Sequence, residues 1–140
     1  MRRKSREFAV QGLYALDLNP MEVDDFLKMF WELNPCKEEV SDYASKLVIG
    51  TMNRRDEIDG RISAHSNHWK IDRMAVTDRN ILRLGTFELL EERANPPRVV
   101  INEAIELAKK FGTTDSATFI NGVLDSIHQE IAQKESQQVS

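Results

Sequence analysis

The chain has 140 residues, 41% of them hydrophobic and 30% charged, and a formal net charge of -4. That length allows one domain or two small halves sharing a core, and that balance excludes wholesale disorder. No apolar run approaches the roughly 18 residues of a membrane span, the start carries no apolar signal region, and the single cysteine, Cys36, leaves no intramolecular disulfide, which fits a reducing, cytosolic compartment.

The first helix is expected from about Ser5 to Leu18, because Ala9, Leu13 and Leu16 recur at i, i+4 and i+7. Gly12 lies inside it and suits the close approach of another helix. Asn19 offers a cap, Pro20 a first helical position and Glu22 a capping-box partner for a second helix. Val23, Phe26, Leu27, Phe30 and Trp31 form its inner face, and it should end near Asn34-Pro35. Val40, Tyr43, Ala44, Leu47, Thr51, Ile58 and Ile62 keep one face from about Lys37 to His65, which predicts a long third helix. Residues 66–77 read as a connection with one short helical turn at Asp72–Met74.

Thr77 and Asp78 open a fourth helix reaching about Arg93. Its apolar residues, Ile81, Leu82, Leu84, Phe87, Leu89 and Leu90, surround most of the circumference, so it should be central. Asn95-Pro96-Pro97 is a break. Val100, Ala104, Leu107, Ala108 and Phe111 support a fifth helix that stops at Gly112. Thr114, Asp115 and Ser116 start a sixth, with Ile120, Val123, Leu124, Ile127 and Ile131 inside. Residues 134–140 read as a disordered tail. The expected fold is all-α: an amino-terminal three-helix bundle and a carboxy-terminal helical bundle, over about 1–66 and 67–133.

Enzyme signatures are missing. There is no phosphate-binding glycine loop of either common type. His65 and His68 can share a helix face, but a metal site needs further ligands such as Asp72 or Glu57. Cys36, beside Glu38 and Glu39, is a poor nucleophile. No cofactor, metal or catalytic residue is expected.

The charge distribution says more than its sum. On average, -4 argues against nucleic acid. Yet Arg2, Arg3, Lys4 and Arg6 stand together without an acid among residues 2–6, while residues 17–42 hold eight acids against Lys28 and Lys37. This pattern fits either a solvated terminus or a polyanion-binding edge. In the second case each basic side chain neutralises a phosphate, Gln11 bonds a base edge and Tyr14 stacks on an unpaired base, a combination suited to single-stranded RNA. The alternative for Tyr14 is a core position. Phe111 and Phe119 flank a short loop containing Asp115. They either close the core or form an apolar patch with a polar rim for a protein partner.

Three blocks carry a resemblance. Arg2 to Tyr14 (RRKSREFAVQGLY), Asp78 to Gly85 (DRNILRLG) followed by Glu88-Leu89, and Val100 to Gly112 (VINEAIELAKKFG) followed by Phe119 to Asp125 (FINGVLD) resemble the bacterial NusB transcription antitermination factors in order and spacing. The resemblance implies an all-α fold of two helical subdomains. It implies binding to the boxA element of ribosomal RNA leader transcripts together with NusE, also a small-subunit ribosomal protein. The complex then joins RNA polymerase and other Nus factors and suppresses premature termination. Carried over by position, the RNA-facing residues are Arg2, Arg3, Lys4, Arg6, Tyr14 and Arg83, and the NusE-facing residues are Asp78, Phe111, Asp115 and Phe119. Some members of the family dimerise, so a homodimer is a further expectation. The family domain also occurs ahead of a ribosomal RNA methyltransferase, which is not expected here after so short a tail. The competing reading is a helical protein-protein adaptor that does not touch RNA.

Overall fold

Helical periodicity without β-alternation gives seven α-helices and one 3-10 turn among the described residues, and no strand among them. The computed structural model describes residues 2–67, 69–91 and 95–139, the last three as backbone only. His68, Arg93 and Ser140, which figured in the expectations above, lie outside the described residues.

Helix α1 (Arg2–Leu18) starts three residues before the expected Ser5. The basic arm is therefore the first turn of a helix. Basic residues at a helix start oppose the helix dipole, so this turn needs anchors. Ser5 Oγ donates to the Val40 carbonyl at 3.0 Å, and Arg6 is tied to Glu88.

Helix α2 (Val23–Leu33) is capped by Glu22, not by Asn19. The Glu22 carboxylate accepts from the Asp24 and Asp25 amides at 3.1 and 2.9 Å. The Asn19 amide instead donates to the Ala15 carbonyl and closes α1. A Cβ on Gly12 would lie 3.4 Å from the Phe26 ring and 3.6 Å from Val48, ordinary contact, so the expected close approach does not demand glycine there. Phe8 of α1 meets Phe30 and Trp31 of α2 edge-to-face.

The long third helix is two helices, α3 (Glu38–Asn53) and α4 (Arg55–His65). The break is at Arg54, whose guanidinium bonds Glu57 on α4 at 2.9 Å and Glu91 at 3.3 Å. No proline or glycine marks it. Ile58 and Ile62 on α4 are both fully buried. After the 3-10 turn at Ile71–Arg73, α5 (Val76–Leu90) runs through the middle, with every residue from Asn80 to Leu89 buried.

Helix α6 (Pro97–Phe111) opens on proline in its first turn and pairs with α7 (Ser116–Val139). Gly112 keeps a negative φ of -97°, so it does not end α6 through the left-handed conformation. A Cβ there would lie 2.5 Å from Ser116 Oγ, so close approach demands glycine. The inner stripe of α7, Ile120 to Ile131, is buried as expected. Residues 134–139, expected as disordered, continue α7, and Lys134 to Ser136 are exposed.

Helices α1, α2 and α3 pack against one another. Helix α5 packs on α1, α3 and α4 from the first half and on α6 and α7 from the second. Buried side chains from both halves form one continuous core.

Candidate nucleic-acid and partner interfaces

At 100° per residue, Arg3, Lys4, Gln11 and Tyr14 fall on one side of α1. All four are exposed, Tyr14 to 40%. This settles the alternative reading of Tyr14: it is not a core residue. The Lys4 ammonium lies 5.0 Å from the Phe8 ring centroid and makes no ion pair among the described residues. Arg2 donates to Asn95 Oδ1 at 2.7 Å and stacks 4.7 Å above the Tyr43 ring.

Two ion pairs join this side of α1 to α6. Arg3 Nε donates to Glu103 Oε2 at 3.0 Å, and the hydrogen bond and charge of Glu103 raise the Arg3 pKa. From the carboxy-terminal turn of α6, Lys110 Nζ donates to Glu7 at 2.8 and 2.9 Å. The sequence reading missed Glu7, Glu103 and Lys110. Their pairs span 100 and 103 residues, beyond any local signal.

Two of the arginines expected to face RNA are buried in ion pairs instead. Arg6 is buried, 2% exposed, and grips Glu88 through Nε and Nη2, each at 2.9 Å. Tyr43 and Asn95 also donate to Glu88, at 3.4 and 3.3 Å. Burial disfavours the Arg6 charge, but the Glu88 hydrogen bond and charge outweigh it and leave its pKa raised. Arg83 is likewise buried, 5% exposed, and held by Asp59 at 2.8 and 3.0 Å and by Asp17 at 3.0 Å. Asp17 lies eleven residues along α1 from Arg6, roughly 16 Å at the helical rise. Both arginines hold α5 to its neighbours and present no free guanidinium to RNA.

Three of the four expected partner residues do come together. Asp78 at the start of α5 and Asp115 and Phe119 around the start of α7 line a cleft of about 340 Å³, with Trp69, Arg73 and Met74. Ser116 Oγ donates to Asp78 Oδ1 at 2.7 Å and accepts from the Thr113 amide at 2.9 Å, locking the α6–α7 loop against α5. Trp69, 60% exposed, meets the Phe119 ring edge-on at 6.4 Å. Phe111 does not line the cleft. It is half-buried against the core, with Lys110 Nζ 5.6 Å from its ring.

The histidine reading is also resolved for His65. Its Nδ1 bonds Ser126 at 2.7 Å and its Nε2 bonds Glu130 at 2.8 Å, tying α4 to α7. Among the described residues, no three His, Cys, Asp or Glu side chains converge on a metal-sized site, and no helix is long and apolar enough to cross a membrane.

An all-helical scaffold with a basic, aromatic helix face and a separate acidic-aromatic cleft is the build of a binding adaptor. The NusB family model matches residues 3–129. A transcription antitermination protein NusB from Anaeromyxobacter dehalogenans is 48% identical over 127 residues, covering 90% of this chain and 89% of its own. One from Geobacter sp. strain M21 is 44% identical, covering 96% and 98%. Among solved structures, antitermination factors NusB and NusE in complex with double-stranded RNA superpose with a TM-score of 0.83 at 32% identity, covering 92% of this chain and 96% of theirs. T. maritima NusB gives 0.83 at 35% identity, covering 93% and 92%. The chain belongs to the NusB family, a family of transcription antitermination factors and not of enzymes.

Proposed function

We propose that this protein binds single-stranded boxA RNA of ribosomal RNA transcripts jointly with NusE, and that the pair helps assemble an antitermination complex on RNA polymerase. The observation that carries the reading is the shared exposure of Arg3, Lys4, Gln11 and Tyr14 on one face of α1. It offers phosphate-neutralising charge, a base-edge hydrogen-bonding group and a stacking ring along one line. A similar structure holds NusB and NusE with double-stranded RNA, which supports RNA and NusE as the classes of partner. NusE takes the cleft of Asp78, Asp115, Phe119 and Trp69, and supplies basic surface that a chain of net charge -4 lacks.

The test titrates fluorescent boxA RNA, with a scrambled RNA as control, into the protein with and without NusE. NusE should tighten binding of boxA over the scramble. Lys4→Ala should weaken binding and lower the salt slope by about one. An unchanged slope removes Lys4 from the RNA surface. Phe119→Ala should weaken NusE capture about fivefold or more at unchanged helix content. Undiminished capture assigns NusE elsewhere. Binding of NusE without any RNA binding by the pair favours the protein-only adaptor.

A further inference from the structure

The first turn of α1 meets the last turns of α6 at a small cavity of about 150 Å³. Three cations line it, Arg3, Arg6 and Lys110, together with three carboxylates, Glu7, Glu103 and Glu106. Their formal charges cancel. Arg6 is committed to Glu88 and buried. The two remaining cations are solvent-facing, with side chains 62% exposed for Arg3 and 54% for Lys110, whereas their acids are withdrawn, 18% exposed for Glu103 and 11% for Glu7. Each acid presents its two oxygens to the cation as a phosphate would.

We propose that Arg3 and Lys110 form a two-cation RNA phosphate site, and that Glu103 and Glu7 occupy it as internal phosphate surrogates until RNA displaces them. The proposal rests on the RNA-binding reading above and adds Lys110, from the far end of the sequence, to the α1 face. Its physical basis is exchange. An exposed ion pair is weak and salt-screened, so a polyanion with several phosphates outcompetes a single carboxylate. The displaced acids stay beside the phosphates and oppose them. Binding by the free protein is therefore held down, and weakly matched RNA is rejected.

The test is a double-mutant cycle on boxA RNA affinity, measured with NusE present across a salt series. Glu103→Gln keeps the shape of the side chain and releases Arg3. It should tighten binding roughly two- to fivefold, the scale of an exposed ion pair, and steepen the salt dependence. In an Arg3→Ala background the same substitution should tighten binding clearly less, because only the repulsion between Glu103 and phosphate is then relieved. An equal tightening in both backgrounds would mean that Glu103 acts only as a distant negative charge, and overturns the exchange. So does no tightening in either. Lys110→Ala should weaken binding roughly twofold or more, and unchanged affinity removes Lys110 from the site. Arg3 and Lys110 are at the surface, and helix content measured alongside verifies folding of every variant. Wild-type protein that fails to bind RNA with NusE overturns the functional reading. Wild-type binding with a flat cycle overturns the exchange alone.

Discussion

Arg6 and Glu88 bury opposite charges against each other, with side chains only 3% and 4% exposed. A pair of this kind stabilises little relative to an apolar replacement, but removing one partner strands the other in a poorly solvated place. Arg6→Ala should therefore cost about 3 kcal/mol, seen as a fall in Tm of about 10 °C. Arg3→Ala, one turn away and exposed, should leave Tm within about 2 °C. Thermal unfolding followed by circular dichroism separates the two, and it separates a buried scaffold arginine from an exposed one in a block of bases that looks uniform in sequence. Asp17 gives the corresponding pH test. Burial pushes its pKa up, but hydrogen bonds from Arg79 and Asn80 and the charges of Arg83 and Arg79 outweigh it and set it at about 2. A depressed carboxyl pKa contributes stability that is complete above the unfolded value of about 4 and is lost as pH falls toward 2. Asp17→Asn should lower Tm at neutral pH and flatten the acid side of the Tm–pH curve between about pH 4 and pH 2. A parallel shift at every pH would locate the acid sensitivity elsewhere. The exposed half of the site was legible, since Arg3, Lys4, Gln11 and Tyr14 share a helical face by spacing alone. The fate of Arg6 and Arg83 was not, because Glu88 and Asp17 lie 82 and 66 residues away.

At the scale of helices, α3 approaches α5 most tightly at Gly50. A Cβ on Gly50 would lie 2.1 Å from the Phe87 ring, so the ring rests directly on the α3 backbone. Gly50→Ala should push the helices apart and cost about 1–3 kcal/mol. Gly60 is the internal control. It lies in α4 with nothing within 4 Å of its Cβ position, and Gly60→Ala should stabilise by about 0.5–1 kcal/mol through helix propensity. Chemical denaturation of both variants gives the two signs, and a neutral Gly50→Ala would show that Phe87 has room to turn. The same elements show why most of the fold was readable. Where an apolar stripe meets a proline or glycine, as at Pro97, Gly112 and the inner face of α7, the helix follows the sequence. Where a helix bends or extends through tertiary contacts, the sequence is silent. The chain breaks between α3 and α4 at Arg54, which pairs with Glu57 and Glu91. The cap of α2 is Glu22 and not Asn19 because α2 starts at Val23, while the Asn19 backbone amide belongs to the end of α1.

Across the whole molecule, the boundary expected near residue 66 divides the chain but not its core. Ala9, Val10, Leu13, Leu47, Val48, Ile58 and Ile62 from the first half belong to the same buried cluster as Ile81, Leu84, Leu107, Leu124 and Ile127 from the second. Helix α5 provides much of the wall between them, and it lies entirely beyond the boundary. Buried charge couples the halves as well, since Arg6 of α1 depends on Glu88 of α5 and Asp17 of α1 on Arg79 and Arg83. A fragment of residues 1–66 would expose Ile58 and Ile62 to water, keep Arg6 and Asp17 without their partners, and bury too little apolar surface to offset the entropy of ordering four helices. Expressed alone, it should show weak helicity by circular dichroism and no cooperative thermal transition. The same should hold for residues 67–140, which would lose α1 from one side of α5. Mixing the two should restore helicity, because each supplies the missing wall and the counter-charges of the other. A cooperative transition in either fragment alone would make the halves independent domains, and the buried pairs across α5 would then be docking contacts between them.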